Sequence, residues 1–472
     1  MEDRQVGRAA LVRRAGRAAL VALPTIAVTI RNLLAPIDQI VGRVPDDALF
    51  YLVLARRLAA GEGFTFDGVS PTTGFHPLWL ALVTALVPTH DPELGLRGLL
   101  ALHGAVTVVS VLLLDRVSRR AGAPSWWSGV GAAAAGAWGA SAYGLGMETA
   151  LVGALALAAL GVERRGPAAL VGFVMGLTRV DAIPLLLGAG RRAPSALIGG
   201  LCGVAITLGF NRGVAGEWVS TSASIKALGT VTERLSRLDP AVVWRHVPGP
   251  AVAAVIVIAV GLAVPRRSPA PGTRNVTLGA LGGVTWIGAS YLFNNLVGPW
   301  YFIPVTWILV AGALGRGGVL TALPTALLLL SLLRGVGLPA PGLHATVVSF
   351  AREVAVRAPP AARIVAEDFP GAIAWFGERT VFAADGLAAS PAYRTALTTG
   401  TAFAWWQARG ATHYAVTRRR EAWLLERPLQ DWIAPPFLPV PRSPVPLDAT
   451  RIVVERADAG GRVFVLVGIG AE

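Results

Sequence analysis

Residues 275–314 read NVTLGALGGVTWIGASYLFNNLVGPWYFIPVTWILVAGAL, an apolar run without a single charge. A bilayer-spanning helix needs roughly 20 mostly apolar residues, because hydrocarbon cannot solvate an unpaired backbone N–H or C=O. The run is too long for one such helix. It breaks at Asn294-Asn295-Leu296-Val297-Gly298-Pro299, where asparagine, glycine and proline interrupt the helical pattern, so it reads as two membrane helices joined by a short turn.

Working outward, the plainest further spans are 94–114, 126–147, 247–265 and 317–333, with weaker ones at 18–37, 149–162 and 193–211. Residues 167–190 are apolar but carry charge in their middle, so they are expected to enter and return as two short helices broken near Arg179-Val180-Asp181. The total is about eleven helical segments. Arginines cluster at 4–17, 116–120, 164–165, 191–192 and 266–274, and placing all of them in the cytoplasm satisfies the positive-inside rule. That puts the N-terminus inside and the C-terminus outside, with long outer loops at 41–80 and 212–247. The first span reads as a retained helix, since no small-residue cleavage site follows it.

Composition agrees. Of 472 residues 54% are hydrophobic and 15% charged, against ~25% charged in a soluble domain, and the mean hydropathy is +0.57. A soluble enzyme is excluded. The net charge of +14, from 42 basic and 28 acidic residues, would elsewhere point to nucleic acid. Here arginines punctuate apolar runs, so the expected partner is the lipid bilayer and not nucleic acid. Cys202 is the only cysteine, which removes disulfides and thiolate clusters, and there is no HExxH motif or Cys/His cluster. No metal and no cofactor are expected.

Beyond Arg334 the pattern changes to short β-rich runs at 363–366, 380–383, 412–417, 451–455 and 463–467, mixed with helix-like stretches and a proline-rich segment at 435–446. The fold class is therefore mainly α. Residues 1–338 form a polytopic transmembrane bundle, and residues 339–472 a small extracytoplasmic α/β domain.

Polar residues gather at the predicted outer ends of these spans, and each has a structural alternative. Asp46 and Asp47 open a helix in the first outer loop, where they could serve its N-terminus. Glu148 begins the span at 149 and could cap it. Arg179 and Asp181 interrupt an apolar run, where charge marks a site by default, or they could be a buried pair. Lys226, the only lysine, follows Ser220-Thr221-Ser222-Ala223-Ser224-Ile225 and could be a solvated loop residue. Trp300 and Tyr301 could belong to an interfacial aromatic belt. His103 reads as a helix-packing polar residue. Their shared placement at one membrane face is the informative fact.

The sequence Asp46-Asp47-Ala48, with Arg56, Gly61-Glu62-Gly63-Phe64 and Gly74-Phe75-His76-Pro77-Leu78-Trp79, resembles the first outer loop of GT-C type membrane glycosyltransferases of the protein-mannosyltransferase-like and actinobacterial arabinofuranosyltransferase-like kinds. Gly146-Met147-Glu148-Thr149, Thr178-Arg179-Val180-Asp181, Ser222 to Lys226 and Pro299-Trp300-Tyr301 follow in the order such sequences show. One departure stands at Thr221, where a proline is common. The resemblance implies an integral-membrane inverting hexosyl- or pentosyltransferase. It would move a sugar from a polyprenyl-monophosphate donor to a glycan, lipid or protein acceptor on the extracytoplasmic face, in cell-envelope biogenesis. Asp46 or Asp47 would be the base, with Asp46 favoured by the family pattern. Lys226 and Arg179 would bind the donor phosphate, and Arg56, His76, Glu148, Asp181, Trp300 and Tyr301 would bind substrate. The competing expectation is a polytopic transporter or flippase for a lipid-linked or small polar substrate, which would carry inverted repeats and polar residues at mid-membrane.

Overall fold

The computed structural model describes residues 2–142, 144–230, 232, 271–293, 299–315, 343–419, 430–433, 440–458 and 460–469. The expected spans at 247–265 and 317–333, the turn residues 294–298, the boundary at 338 and residues 233–247 of the second expected outer loop lie outside them. The described chain is mainly helical. Helices α1 (Glu2–Leu34), α5 (Pro92–Arg120) and α6 (Ser125–Gly139) pack together, and α7 (Thr149–Gly161) lies against α5. Among the described residues three stretches, Leu11–Leu34, Pro92–Arg120 and Val180–Ala215, are long and apolar enough to cross a membrane.

The first interrupted span breaks where its sequence implies, at Arg179; residues 294–298 of the second lie outside the described residues. Helix α8 (Arg165–Thr178) stops at Arg179, whose extended backbone (φ −161°, ψ 112°) starts a 3₁₀ stretch, Val180–Arg192, before α9 (Ala193–Ala215). The uncharged run gives α11 (Pro271–Phe293) and α12 (Phe302–Gly315), with a 3₁₀ turn at Pro299–Tyr301 between them. Lipid offers no hydrophobic drive for helix association, so close van der Waals packing must supply it. Helices α8 and α9 achieve this with glycines. A Cβ on Gly172 would lie 1.8 Å from the Ala196 carbonyl oxygen, and one on Gly203 2.2 Å from that of Phe173.

Between α1 and α5, a short helix α2 (Ile37–Ile40) leads to α3 (Asp46–Ala59), and α4 (Pro77–Leu86) follows. Helix α3 begins at Asp46, directly after Pro45. Helix α10 (Thr221–Lys226) lies in the described part of the segment 212–247.

The C-terminal residues form α13 (Leu343–Arg357), α14 (Pro370–Gly377), α15 (Tyr393–Thr398), α16 (Ala402–Gln407) and a six-stranded sheet in the order β2-β1-β3-β6-β5-β4. The strands are β1 (Arg363–Ala366), β2 (Thr380–Ala383), β3 (His413–Arg419), β4 (Gln430–Ile433), β5 (Ser443–Ala457) and β6 (Arg462–Ile469). Strands β1, β2 and β3 run parallel, and the remaining pairs are antiparallel. Two corrections follow for the sequence reading: β4 was not foreseen, and β5 starts inside the proline-rich segment, where Pro444 and Pro446 stand opposite Trp432 and Gln430.

This sheet unit is fastened to α3 and α5 by α14. Arg56 Nη2 donates to the Ala374 carbonyl (2.9 Å) and its guanidinium lies 4.9 Å over the Trp375 ring, while Trp375 Nε1 donates to the Pro92 carbonyl (2.9 Å). Arg352 pairs with Glu93 beside them.

Candidate functional site

Where α3, the loop that follows it, α10 and the 3₁₀ turn at Pro299–Tyr301 converge, the fold forms a cavity of about 290 Å³. Its lining includes Asp47, His76, Glu148, Arg179, Asp181, Lys226, Trp300 and Tyr301. Residues from five separate stretches of chain thus meet at one place.

Helical geometry sorts the two adjacent aspartates. On α3 Asp47 and Tyr51 are four residues apart and share a face, and both line the cavity. Asp46 faces α14 with its neighbour Phe50, and its two carboxylate oxygens accept the backbone N–H of Gly371 (2.8 Å) and Ala372 (2.7 Å). These are first-turn amides with no partner inside their own helix, so Asp46 caps a distant helix rather than its own. Burial, and then Asp47 and Asp368, raise its pKa to about 7, against the pull of the two N–H donors. Burial also raises the pKa of Asp47, against the ammonium of Lys226, whose Nζ lies 3.9 Å from Asp47 Oδ2. Burial disfavours the Lys226 ammonium, but Tyr301 and Asp47 outweigh it and hold the lysine above its ordinary pKa.

The second half of the cavity is a charge network around Glu148, whose side chain is 0% exposed. Glu148 does not cap α7 with its side chain. It accepts from Arg179 Nη1 (2.6 Å) and the Tyr51 hydroxyl (2.9 Å), and His76 Nε2 stands 3.4 Å away. Arg179 also grips Asp181 with two nitrogens, Nε at 2.8 Å and Nη2 at 3.2 Å, and stacks its guanidinium 4.0 Å over the Tyr301 ring. Such a cation, fixed by two carboxylates and an aromatic face, presents its remaining edge without reorganising.

Two candidates lie outside the lining. Asp46 is occupied by the α14 amides. Arg56 is nine residues beyond Asp47, half a turn out of phase on α3, and ties down α14 instead of facing the cavity. Trp300 and Tyr301 are both buried rather than arrayed in an exposed belt. His103 joins helices as expected: its Nδ1 accepts from Gly146 N (3.2 Å), and the Gly146 carbonyl accepts from Trp79 Nε1 (2.9 Å).

Sequence reasoning missed Tyr51, which the four-residue spacing from Asp47 could have revealed, and the hydroxyls of Ser220 and Ser222 on the lining. It also missed Asp385. That buried carboxyl follows β2, accepts from Leu387 N (3.0 Å) and is held well above the usual aspartate range by burial and by the charges of Asp47 and Asp46. Its position depends on the docking of the sheet unit, which no local pattern encodes. No group of three or more His, Cys, Asp or Glu side chains placed to hold a metal ion occurs among the described residues.

No protein-family model and no curated protein matches the chain. Its structure is similar to two crystal structures of ArnT from Cupriavidus metallidurans. The apo structure has a TM-score of 0.52 at 12% identity over 96% of this chain and 98% of that one. The structure bound to undecaprenyl phosphate has a TM-score of 0.51 at 12% identity over 94% and 97%. At this identity the likeness speaks for the backbone, and it runs nearly end to end: the chain shares the fold of ArnT.

Proposed function

We propose that this protein is an integral-membrane inverting glycosyltransferase that moves a sugar from a polyprenyl-monophosphate donor to a glycan, lipid or protein acceptor on the extracytoplasmic face. The observation that carries this reading is the cavity lined by Asp47, by Lys226 3.9 Å from it, and by Arg179, itself held by the lining carboxylates Glu148 and Asp181. The fold shared with ArnT, crystallised with undecaprenyl phosphate, supports a lipid-phosphate donor. The arginine clusters favour a cytoplasmic N-terminus and an outer C-terminal unit.

In this mechanism Asp47 takes the proton of the acceptor hydroxyl as its oxygen attacks the anomeric carbon. The carbon–oxygen bond to the phosphate breaks on the opposite face, its electron pair leaves with the phosphate, and the configuration inverts. Lys226 and Arg179 stabilise the charge that develops there. A lipid phosphate is already a competent leaving group, so no acid is required on that side. The base falls to Asp47 and not to Asp46, because both Asp46 oxygens are engaged by backbone amides.

Purified protein supplied with a synthetic polyprenyl-phosphate sugar and envelope vesicles as acceptor should form a product of inverted configuration. Asp47→Asn should lower turnover by ~10²- to 10⁴-fold with the protein still folded, while Asp46→Asn loses far less. The acid limb of the wild-type pH profile should lie above the ordinary aspartate range, since burial raises Asp47. An active Asp47→Asn enzyme would overturn the assignment.

A further inference from the structure

Lys226 sits at the end of a helix of six residues, too short to hold its own position in water. Two hydroxyl residues account for its placement. The backbone N–H of Thr221 donates to Thr73 Oγ1 (3.1 Å), the backbone N–H of Thr73 donates to Thr221 Oγ1 (3.3 Å), and the two hydroxyls lie 3.3 Å apart. Thr73 is 0% exposed and Thr221 1%. The bonds join the first outer loop to the second across 148 residues. Thr221 is the first residue of α10, so its N–H has no acceptor inside the helix and Thr73 supplies one from outside. Ser220 accepts from Ala223 N (3.3 Å) and completes the cap. A proline at 221, common where this loop finds its resemblance, would offer neither the N–H nor the hydroxyl. The assembly is also closed from above: a Cβ on Gly74 would lie 1.9 Å from the Leu387 carbonyl oxygen, and Gly386 packs near the Ile225 side chain.

We propose that Thr73 and Thr221 are a positioning latch: their reciprocal hydrogen bonds register α10 against the first outer loop and so hold Lys226 at Asp47, ready for the donor phosphate. The donor-phosphate role of Lys226 rests on the function proposed above. Neither threonine touches substrate in this scheme. Both act through Lys226, so their removal falls on donor binding more than on the chemical step.

The test begins with hydrogen exchange on the wild-type protein, where the amides of Thr73 and Thr221 should be protected together. Thr73→Val and Thr221→Val keep the shape of the side chain and remove the hydroxyl; Thr→Ser at either position keeps it. Each valine variant should raise the donor KM, and weaken binding of undecaprenyl phosphate, by roughly tenfold with a smaller change in kcat, and the double variant should be no worse than the worse single one. The serine variants should stay near wild type, an outcome a purely structural role would not separate from the thermal midpoint. Amides that exchange as fast as solvated loop amides overturn the latch, whether or not the valine variants fold. Folded valine variants with wild-type donor KM overturn it as well. A wild-type protein that neither binds undecaprenyl phosphate nor transfers sugar sinks the functional reading instead, and the exchange result still decides whether the latch exists.

Discussion

Two charged clusters, one at the C-terminal end of α5 and one at the N-terminal end of α7, use charge differently. In the first, Arg17 donates to both oxygens of Asp115 (3.1 and 2.6 Å) and to Ser125 Oγ (2.6 Å), while Ser128 Oγ (2.8 Å) and Arg119 Nε (3.2 Å) complete the carboxylate. The cluster closes on itself, and none of these side chains lines the cavity. In the second, Arg179 and Glu148 are just as densely bonded, yet they wall a cavity that also holds Asp47 and Lys226. Charge buried in a membrane protein is therefore not by itself a sign of chemistry. The sign is a network whose edge borders open space, next to a base and a second cation.

Lys226→Ala probes the open cluster hardest. If the lysine meets the donor phosphate, its loss removes a charge-assisted bond worth ~1.5–3 kcal/mol, an increase in donor KM of roughly 10- to 150-fold, with little change in melting temperature. A normal donor KM would remove Lys226 from the phosphate subsite. Asp115→Asn should show the reverse pattern in the closed cluster. Leaving the half-buried Arg17 guanidinium without its carboxylate should cost about 1–3 kcal/mol of stability, read as a lower thermal midpoint, with turnover per folded molecule unchanged. A loss of turnover without a loss of stability would erase the distinction between the two clusters.

The same contrast explains what could be read from residues alone. Helix breaks were legible, because a charge at Arg179 inside an apolar run and a proline at 299 act locally, and both break where local physics requires. Strands at 363–366 and 380–383 were legible from short β-branched runs bounded by turn residues. Strand β5 was not, since prolines at 444 and 446 read as breakers until the partner strand is known. At the site, Asp47, Glu148, Arg179, Lys226 and Tyr301, which the predicted topology gathers at one face, line one cavity. The division of labour between Asp46 and Asp47 did not: it depends on which face of α3 meets α14, more than 300 residues on in the chain.

That division leads to the smallest of the expected effects. Asp46 has a folded pKa of about 7 against 3.8 in its ordinary state, so between those values the folded protein binds more protons than the unfolded chain. Stability contributed by the neutral carboxyl is fully present below the lower value and is lost as pH rises through about 7. The wild-type thermal midpoint should accordingly fall by roughly a few degrees between pH 5 and 8, a small change because the side chain keeps part of its surface exposed. Asp46→Asn cannot ionise, so its midpoint should vary less over the same range. An unchanged slope in Asp46→Asn would mean that the carboxyl holding α14 does not titrate in this window. The case for Asp47 as the base would then rest on the geometry of the cavity alone.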